Sequence, residues 1–503
     1  MVAKIWTVGL RGIEGYRMSV ECDLSGGLPA FDIVGLPDAS VREARERVRS
    51  ALKNKGFDFP LRRITVNLAP ADTKKAGALY DLPILLALLA ASGQVEGDFS
   101  DAAFIGEVSL DGNLRPVRGT LPAAVAAKAA GFKRFYVPLD NAGEAALAGE
   151  EIDVFGVSAV DELAEVFLGK RQLAKAAPAD ISEPSYEGLD FSEVKGQQNA
   201  KRACEIAAAG GHNLLFSGPP GAGKSMLAKR IASILPEMTR EEALETTKIY
   251  SVAGLTGREQ PLVARRPFRS PHHTLSPVSL AGGGTDLRPG EISLAHNGVL
   301  FLDEFPEFSR TALEVLRQPL EDGVVTISRA SGTVQYPCRF MLVGAMNPCR
   351  CGWFGHPSGR CTCSRSSVES YRRHVSGPML DRIDIFVDIP EVSFTEITAK
   401  SGGQSSAEIR TRVDRARKIQ AERLEGTGVF CNAYLPPALL DRFCALEEAE
   451  RALLRLAFER LNLSARSYTR ILKLSRTIAD LDQSERIKAT HISEALQYRP
   501  PQL

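Results

Sequence analysis

The 503-residue chain is compositionally ordinary, with 44% hydrophobic and 24% charged residues and a formal net charge of +1. No global field therefore draws it to nucleic acid or to a membrane, any basic surface must be local, and no apolar run approaches the roughly 20 residues that a bilayer span needs. The opening Met1-Val2-Ala3-Lys4-Ile5-Trp6 lacks the apolar core and cleavage site of a signal peptide. A cytoplasmic protein of about three domains, with no membrane partner, is expected. Nine cysteines, an odd number, point away from a disulfide framework and toward free thiols with a metal site among them.

Residues 1–170 alternate strand-like and helical runs. Ile33-Val34-Gly35-Leu36-Pro37 precedes an amphipathic helix from Ala39 to Lys55, Ile64 to Leu68 reads as a strand, and Leu82 to Ala91 as a buried helix. A hairpin is expected over Ala103–Gly112, then a helix from Ala123 to Ala130 and a strand over Arg134–Val137. This is an α+β domain. From Ile105 to Pro138 it resembles the Lon-type proteolytic domain, of the ribosomal S5 type. That resemblance puts the serine nucleophile near Leu79 and the lysine near Leu121, and a leucine offers neither nucleophile nor base. The expectation is a non-proteolytic relative acting as scaffold or interaction module. Residues 171–188, rich in Ala, Pro, Ser and charge, read as a linker.

The second domain, 189–395, is built around Asn213-Leu214-Leu215-Phe216-Ser217-Gly218-Pro219-Pro220-Gly221-Ala222-Gly223-Lys224-Ser225. An apolar strand ends in glycines and opens a helix pattern from Met226 through Ile231, which is the setting a phosphate-binding loop requires. Glycines let backbone N–H groups converge on phosphates, Lys224 reaches the terminal phosphate oxygens, and Ser225 contributes to a magnesium shell; ATP and Mg2+ are the implied ligands. Gly298 to Leu302 reads as a buried strand ending in Asp303-Glu304, a Walker B pattern. Asp303 is expected on the magnesium and Glu304 on the attacking water.

Three inserts decorate this α/β core. The segment between the phosphate-loop helix and Asp303 shows no apolar period, so a projecting loop or hairpin is expected. From Arg265 to Arg288 it holds four arginines against one aspartate, and Arg269 is a candidate for phosphate-backbone contact, a solvated loop being the alternative. The run Val324–Arg329 and Thr333–Tyr336 around Ala330-Ser331-Gly332 reads as a β-hairpin with Arg329 near its tip. Cys349 and Cys351 precede Cys361 and Cys363 with nine residues between the pairs. Four thiolates can surround one tetrahedral Zn2+, the alternative being four free or redox-active thiols, and His356 is a spare ligand. Arg350 opens a stretch to Arg373 with five arginines and one glutamate, so this loop also presents positive charge.

From about residue 396 to 503 apolar residues recur at three- and four-residue spacing over Ser406–Leu424, Pro436–Leu446, Ala449–Leu461, Ser467–Leu481 and Lys488–Tyr498, which predicts a helical lid.

Further stretches resemble elements of AAA+ ATPases. Val194-Lys195-Gly196-Gln197 is similar to the adenine-side turn, and Phe340 to Asn347 to the sensor 1 strand, which implies that Asn347 bonds the water or the γ-phosphate. Pro378 to Asp384 is similar to the arginine-finger segment, implying that Arg382 reaches a neighbouring subunit's γ-phosphate. An ion pair of Arg382 with Asp381 or Asp384 is the alternative. Ser464-Ala465-Arg466 resembles the sensor 2 start, and the hairpin bearing Arg329 takes the pre-sensor 1 position. With the runs Arg269–Thr274 and Arg288–Glu304 and the cysteine loop, essentially the whole chain resembles the YifB/ComM family of magnesium-chelatase-like AAA+ proteins. The resemblance implies a homo-hexameric ATP-driven DNA motor for branch migration in recombination and natural transformation, gripping branched or single-stranded DNA without regard to sequence. A chelatase-type motor driving metal insertion is the rival.

Overall fold

The computed structural model describes residues 2–178, 189–284, 286–329, 332–392, 403–461 and 463–500. Most of the expected linker, the Ala330-Ser331 turn and the expected boundary near residue 396 lie outside them.

The first domain is a seven-stranded mixed sheet. Its elements are β1 (Val2–Arg11), β2 (Glu14–Ser25), β3 (Ala30–Val34), α1 (Ala39–Asn54), β4 (Arg63–Ala69), α2 (Asp81–Ala91), β5 (Ala102–Phe104), β6 (Glu107–Val108), β7 (Leu114–Arg115), α3 (Thr120–Ala129), β8 (Arg134–Pro138), α4 (Ala142–Ala145), β9 (Asp153–Val157) and α5 (Val160–Phe167). The strand order is β3-β4-β2-β1-β5-β8-β9. Alternation along β1 feeds two cores: Ile5 packs with the leucines of α2 on one face, and Val8 with Ala123, Ala124 and Ala127 of α3 on the other. Leu82, Leu85, Leu86 and Leu89 are all fully buried, each contributing roughly 1.5–3 kcal/mol. Asp38 caps α1 by accepting from the Val41 N–H at 2.8 Å.

Two expectations are corrected in this domain. Ala102–Phe104 is not half of a hairpin but a central strand parallel to β1 and β8, and the antiparallel pair is β6 with β7. The start of the expected linker is not free chain either: Lys175 bridges Phe155, and the Ala176 N–H donates to the Val154 carbonyl at 2.8 Å, extending the sheet edge. Leu121 is fully buried and Leu79 packs against both cores, so both are packing residues.

The second domain contains α6 (Gln198–Gly210), β10 (Leu214–Ser217), α7 (Lys224–Ile231), α8 (Arg240–Ala253), β11 (Phe268–Arg269), β12 (Gly282–Gly283), β13 (Arg288–Pro289), β14 (Val299–Leu302), β15 (Val324–Arg329), β16 (Gly332–Pro337), β17 (Met341–Met346) and β18 (Ile385–Asp388). Five strands form a parallel sheet, β11-β14-β17-β10-β18. Leu214, Phe216, Val299 and Phe301 face α6 and the C-terminal helices, while Leu215, Leu300 and Leu302 face the opposite core around Phe305 and Phe308. This is a parallel sheet covered on both faces, with ligand chemistry expected at its carboxyl edge.

The long insert before Asp303 is not a bare loop. Thr239 and Glu242 form a capping box that starts α8, β11 joins the central sheet, and Leu280 and Ile292 are fully buried. The helix escapes an apolar-period reading because it buries Thr246, Thr247 and Ser251 among its inward positions; the Thr246 and Thr247 hydroxyls bond to carbonyls one turn back.

Beyond residue 403 the chain is helical over Ser406–Arg423, Pro437–Phe443, Glu448–Arg460, Ala465–Leu481 and Ala489–Ala495. These helices pack on α6, and Asp480, fully buried, is held by Arg423, Arg476 and Asn432. The first domain docks on α8: the Gly119 N–H donates to the Ser251 carbonyl at 3.0 Å, and the buried Glu144 carboxylate accepts from the Ser251 and Thr256 hydroxyls.

Candidate functional site

The phosphate loop follows β10 directly. Gly218 sits where a Cβ would come within 2.3 Å of the Ile389 carbonyl oxygen, so only glycine lets β18 and the loop approach. Gly221 and Gly223 adopt φ of +81° and +89°, and a Cβ on either would meet nothing within 4 Å. The loop containing Pro219, Pro220 and Ala222 thus turns an open backbone surface outward at the N-terminus of α7.

Lys224 is the first residue of α7, and its ammonium donates to the Gly218 and Pro219 carbonyls at 2.7 and 2.8 Å and to Asn347 Oδ1 at 3.1 Å. Burial holds its pKa below the usual lysine value, against the opposing pull of Asp303. The Ser225 hydroxyl donates to Asp303 Oδ2 at 2.7 Å. Three stretches distant in sequence, ending β10, β14 and β17, therefore meet at one sheet edge. An oxygen pair from Ser225 and Asp303 beside an ammonium suits a hydrated magnesium nucleotide, so the residues present fit ATP and Mg2+.

Glu304 has φ of +52°, a left-handed backbone uncommon outside glycine. Its carboxylate lies 3.0 Å from Nδ1 of His273, whose ring contacts His272 and meets Phe308 edge-on. No motif spacing pointed to His273; the insert delivers it there through β11, the strand beside β14.

The arginines divide. Arg269 is corrected: it lies in β11 with its guanidinium on both oxygens of Glu291 at 2.6 and 2.7 Å, and this pairing raises its pKa, so it is no free cation on a projecting loop. Arg382 does not form the ion pair with Asp381 or Asp384 that was its alternative. It turns inward to Glu321 and to the Arg317 and Pro378 carbonyls. Asp381 instead takes Arg466, at 2.9 Å. Arg466 is therefore held by the finger segment rather than by the phosphate loop. Arg329 and Arg350 are exposed, and among the described residues neither has an acidic partner.

The four sulfurs of Cys349, Cys351, Cys361 and Cys363 lie within 4.8 Å of one another. Backbone N–H groups of Trp353 and Thr362 pull the Cys351 thiol down to about 6, while burial and the neighbouring sulfurs push Cys361 up to about 11 and also raise Cys363. Spacing and donor set fit one tetrahedral ion. His356 stands apart, paired with Glu391 and Ser358. The loop abuts the nucleotide site, since a Cβ on Gly352 would meet the Pro220 ring at 2.6 Å.

Three sequence families cover most of the chain. The family described as magnesium chelatase, subunit ChlI, matches residues 190–397, its C-terminal counterpart 403–499, and the family described as subunit ChlI of Mg-chelatase 20–141. Competence protein ComM of Haemophilus influenzae is 43% identical over 507 residues, spanning 99% of this chain and 97% of that protein. The chain belongs to the YifB/ComM family. Another member, the uncharacterized protein YifB of Escherichia coli, is 44% identical across 97% of this chain and 95% of its own. More distantly, a magnesium-chelatase 67 kDa subunit of Heliobacterium mobile is 26% identical over 41% of this chain and 35% of its own. The YifB/ComM relatives share the full length, first domain included, and the magnesium-chelatase families supply the AAA+-like ATPase fold. Among the described residues no helix is long and apolar enough to cross a membrane.

Proposed function

We propose that this protein is an ATP-hydrolysing motor acting on DNA, assembled as a homo-hexamer and serving branch migration during recombination and natural transformation. The observation that carries the reading is the pairing of a complete nucleotide constellation with an exposed arginine at the end of β15, which has no acidic partner among the described residues; the competence assignment of the Haemophilus relative supports it.

In this reading Lys224 balances phosphate charge and Ser225 and Asp303 hold Mg2+. The bound magnesium supplies neutralisation of the charge that develops on the phosphate oxygens. Glu304 orients and deprotonates water, and Asn347, now on Lys224, fixes the ammonium and offers its amide to the water or γ-phosphate. Arg382 must leave Glu321 to act on a neighbouring subunit. Zn2+ on the four cysteines stiffens the loop carrying Arg350. Phosphate contacts from Arg329 and Arg350 make binding insensitive to sequence and steeply salt-dependent.

The test is the ATPase rate with and without forked and four-way DNA, paired with a salt titration of binding. Stimulation by branched DNA, reduced in Arg329→Ala, is expected. Absence of any DNA affinity or stimulation favours the second reading, a chelatase-type motor remodelling a protein partner, to which the magnesium-chelatase families point.

A further inference from the structure

The turn joining β1 to β2 reaches across to the second domain and lies against the β15–β16 hairpin. Arg11 Nε donates to the Thr333 carbonyl at 3.1 Å. Thr333 faces Ser328 in the hairpin register, one step from the pair Arg329 and Gly332. A Cβ on Gly332 would lie 3.8 Å from Arg11 Nη2. Gly12, at φ +62°, is placed so that a Cβ would come within 3.3 Å of Val334 and 3.6 Å of Tyr336, and Ile13 packs into the hairpin's core. Gly12 thus suits both the left-handed turn and its packing against the Val334 and Tyr336 side chains.

Two arginines from domains more than 300 residues apart in sequence consequently share one hairpin tip. Both are exposed, and among the described residues neither is paired with an acid. Arg11 hydrogen-bonds the hairpin through Nε, with Nη2 beside Gly332. Two exposed arginines at one end of the hairpin, Arg11 against Gly332 and Arg329 against Gly283, with no acid paired to either among the described residues, make that end locally positive and suited to an anion. The first domain is attached to the second at another place as well, by Gly119 and Glu144 on α8.

We propose that the first domain is a working part of the nucleic-acid grip: Arg11 and Arg329 together form a phosphate-binding tip, with Arg11 contacting the DNA backbone directly. This rests on the DNA-motor reading above. It assigns the first domain a place on DNA in addition to any scaffolding.

The experiment measures binding of labelled forked DNA to the full chain at several salt concentrations for wild type, Arg11→Gln, Arg11→Lys and Arg329→Ala, with thermal melting of each. The expected result is a several-fold loss of affinity in Arg11→Gln, a shallower salt dependence by about one in log–log slope, and substantial recovery in Arg11→Lys, which keeps the charge. A purely structural role for the Thr333 bond would lower the melting temperature and leave the salt slope at its wild-type value, which overturns the proposal. Wild-type affinity and slope in Arg11→Gln, with binding weakened in Arg329→Ala, overturns the Arg11 assignment alone. A wild type that binds no DNA overturns it together with the DNA-motor reading.

Discussion

The carboxylate of Glu304 is held 3.0 Å from Nδ1 of His273, a residue brought in by the strand next to its own. Glu304 also carries a left-handed backbone, a conformation that costs about 1–2 kcal/mol for a residue with a side chain and persists where surroundings impose it. A carboxylate engaged with an imidazole is not free to take a proton from water. His273→Ala should therefore raise ATP turnover in the absence of DNA by a few-fold, in line with a half-exposed polar contact of about 1 kcal/mol. Steady-state phosphate release measures it, and a fall would make His273 an aid to the base instead of its restraint.

Lys224 and Glu304 should separate binding from chemistry. Lys224→Ala removes the ammonium bonded by Gly218, Pro219 and Asn347 and should abolish detectable nucleotide affinity. Glu304→Gln keeps shape and loses basicity, so ATP still binds while turnover drops by about 100-fold or more. Fluorescent-nucleotide titration beside single-turnover hydrolysis distinguishes the two; equal loss of binding in both contradicts the division of roles.

Purified protein should contain about one zinc per chain by elemental analysis, given four sulfurs on one site. Serine at any one of Cys349, Cys351, Cys361 or Cys363 should lower zinc content and destabilise the loop at Gly352 that abuts the phosphate loop. Metal-free wild type with full stability and ATPase activity would remove zinc from the account.

Glu144 links the two domains through Ser251 and Thr256 and also accepts from the Leu121 N–H. Burial raises its pKa above the ordinary glutamate value, although those three donors oppose the shift. For a raised pKa the stabilising contribution is fully present below the unfolded value and is lost as pH rises through the folded one. Thermal melting should show the chain gaining stability on acidification across that window, a dependence that Glu144→Gln reduces. Glu144→Ala, which leaves three donors unpaired, should cost about 1–3 kcal/mol at neutral pH.

Contiguous motifs were legible from residues alone. Gly218 to Ser225 works through backbone local to the loop, and β10, β14 and β17 are buried on both faces, so their apolar runs announce them. The five C-terminal helices show their inward stripes. The hairpin β15–β16 has alternating β-branched residues around a glycine, which sets its register locally. By contrast α8 was hidden, because its inward positions bury Thr246 and Thr247, whose hydroxyls bond within the helix, and Ser251, whose hydroxyl bonds Glu144, which leaves no apolar period.

Charge partnership was decided in three dimensions. Arg269, Arg329 and Arg350 are equivalent as letters, yet only the fold sets Glu291 against the first and leaves the other two without an acid among the described residues. Arg382 and Arg466 exchanged their expected settings for Glu321 and Asp381. The contacts His273 with Glu304, and Arg11 with Thr333, join segments with no shared pattern. Sequence carries which side chains can donate, accept or bear charge. Which of them is neutralised, restrained or left to meet a ligand depends on distances that only packing of separate elements sets, because hydrogen bonds need donor and acceptor within about 3 Å and charge attraction in water is weak beyond a contact pair and screened over about 10 Å.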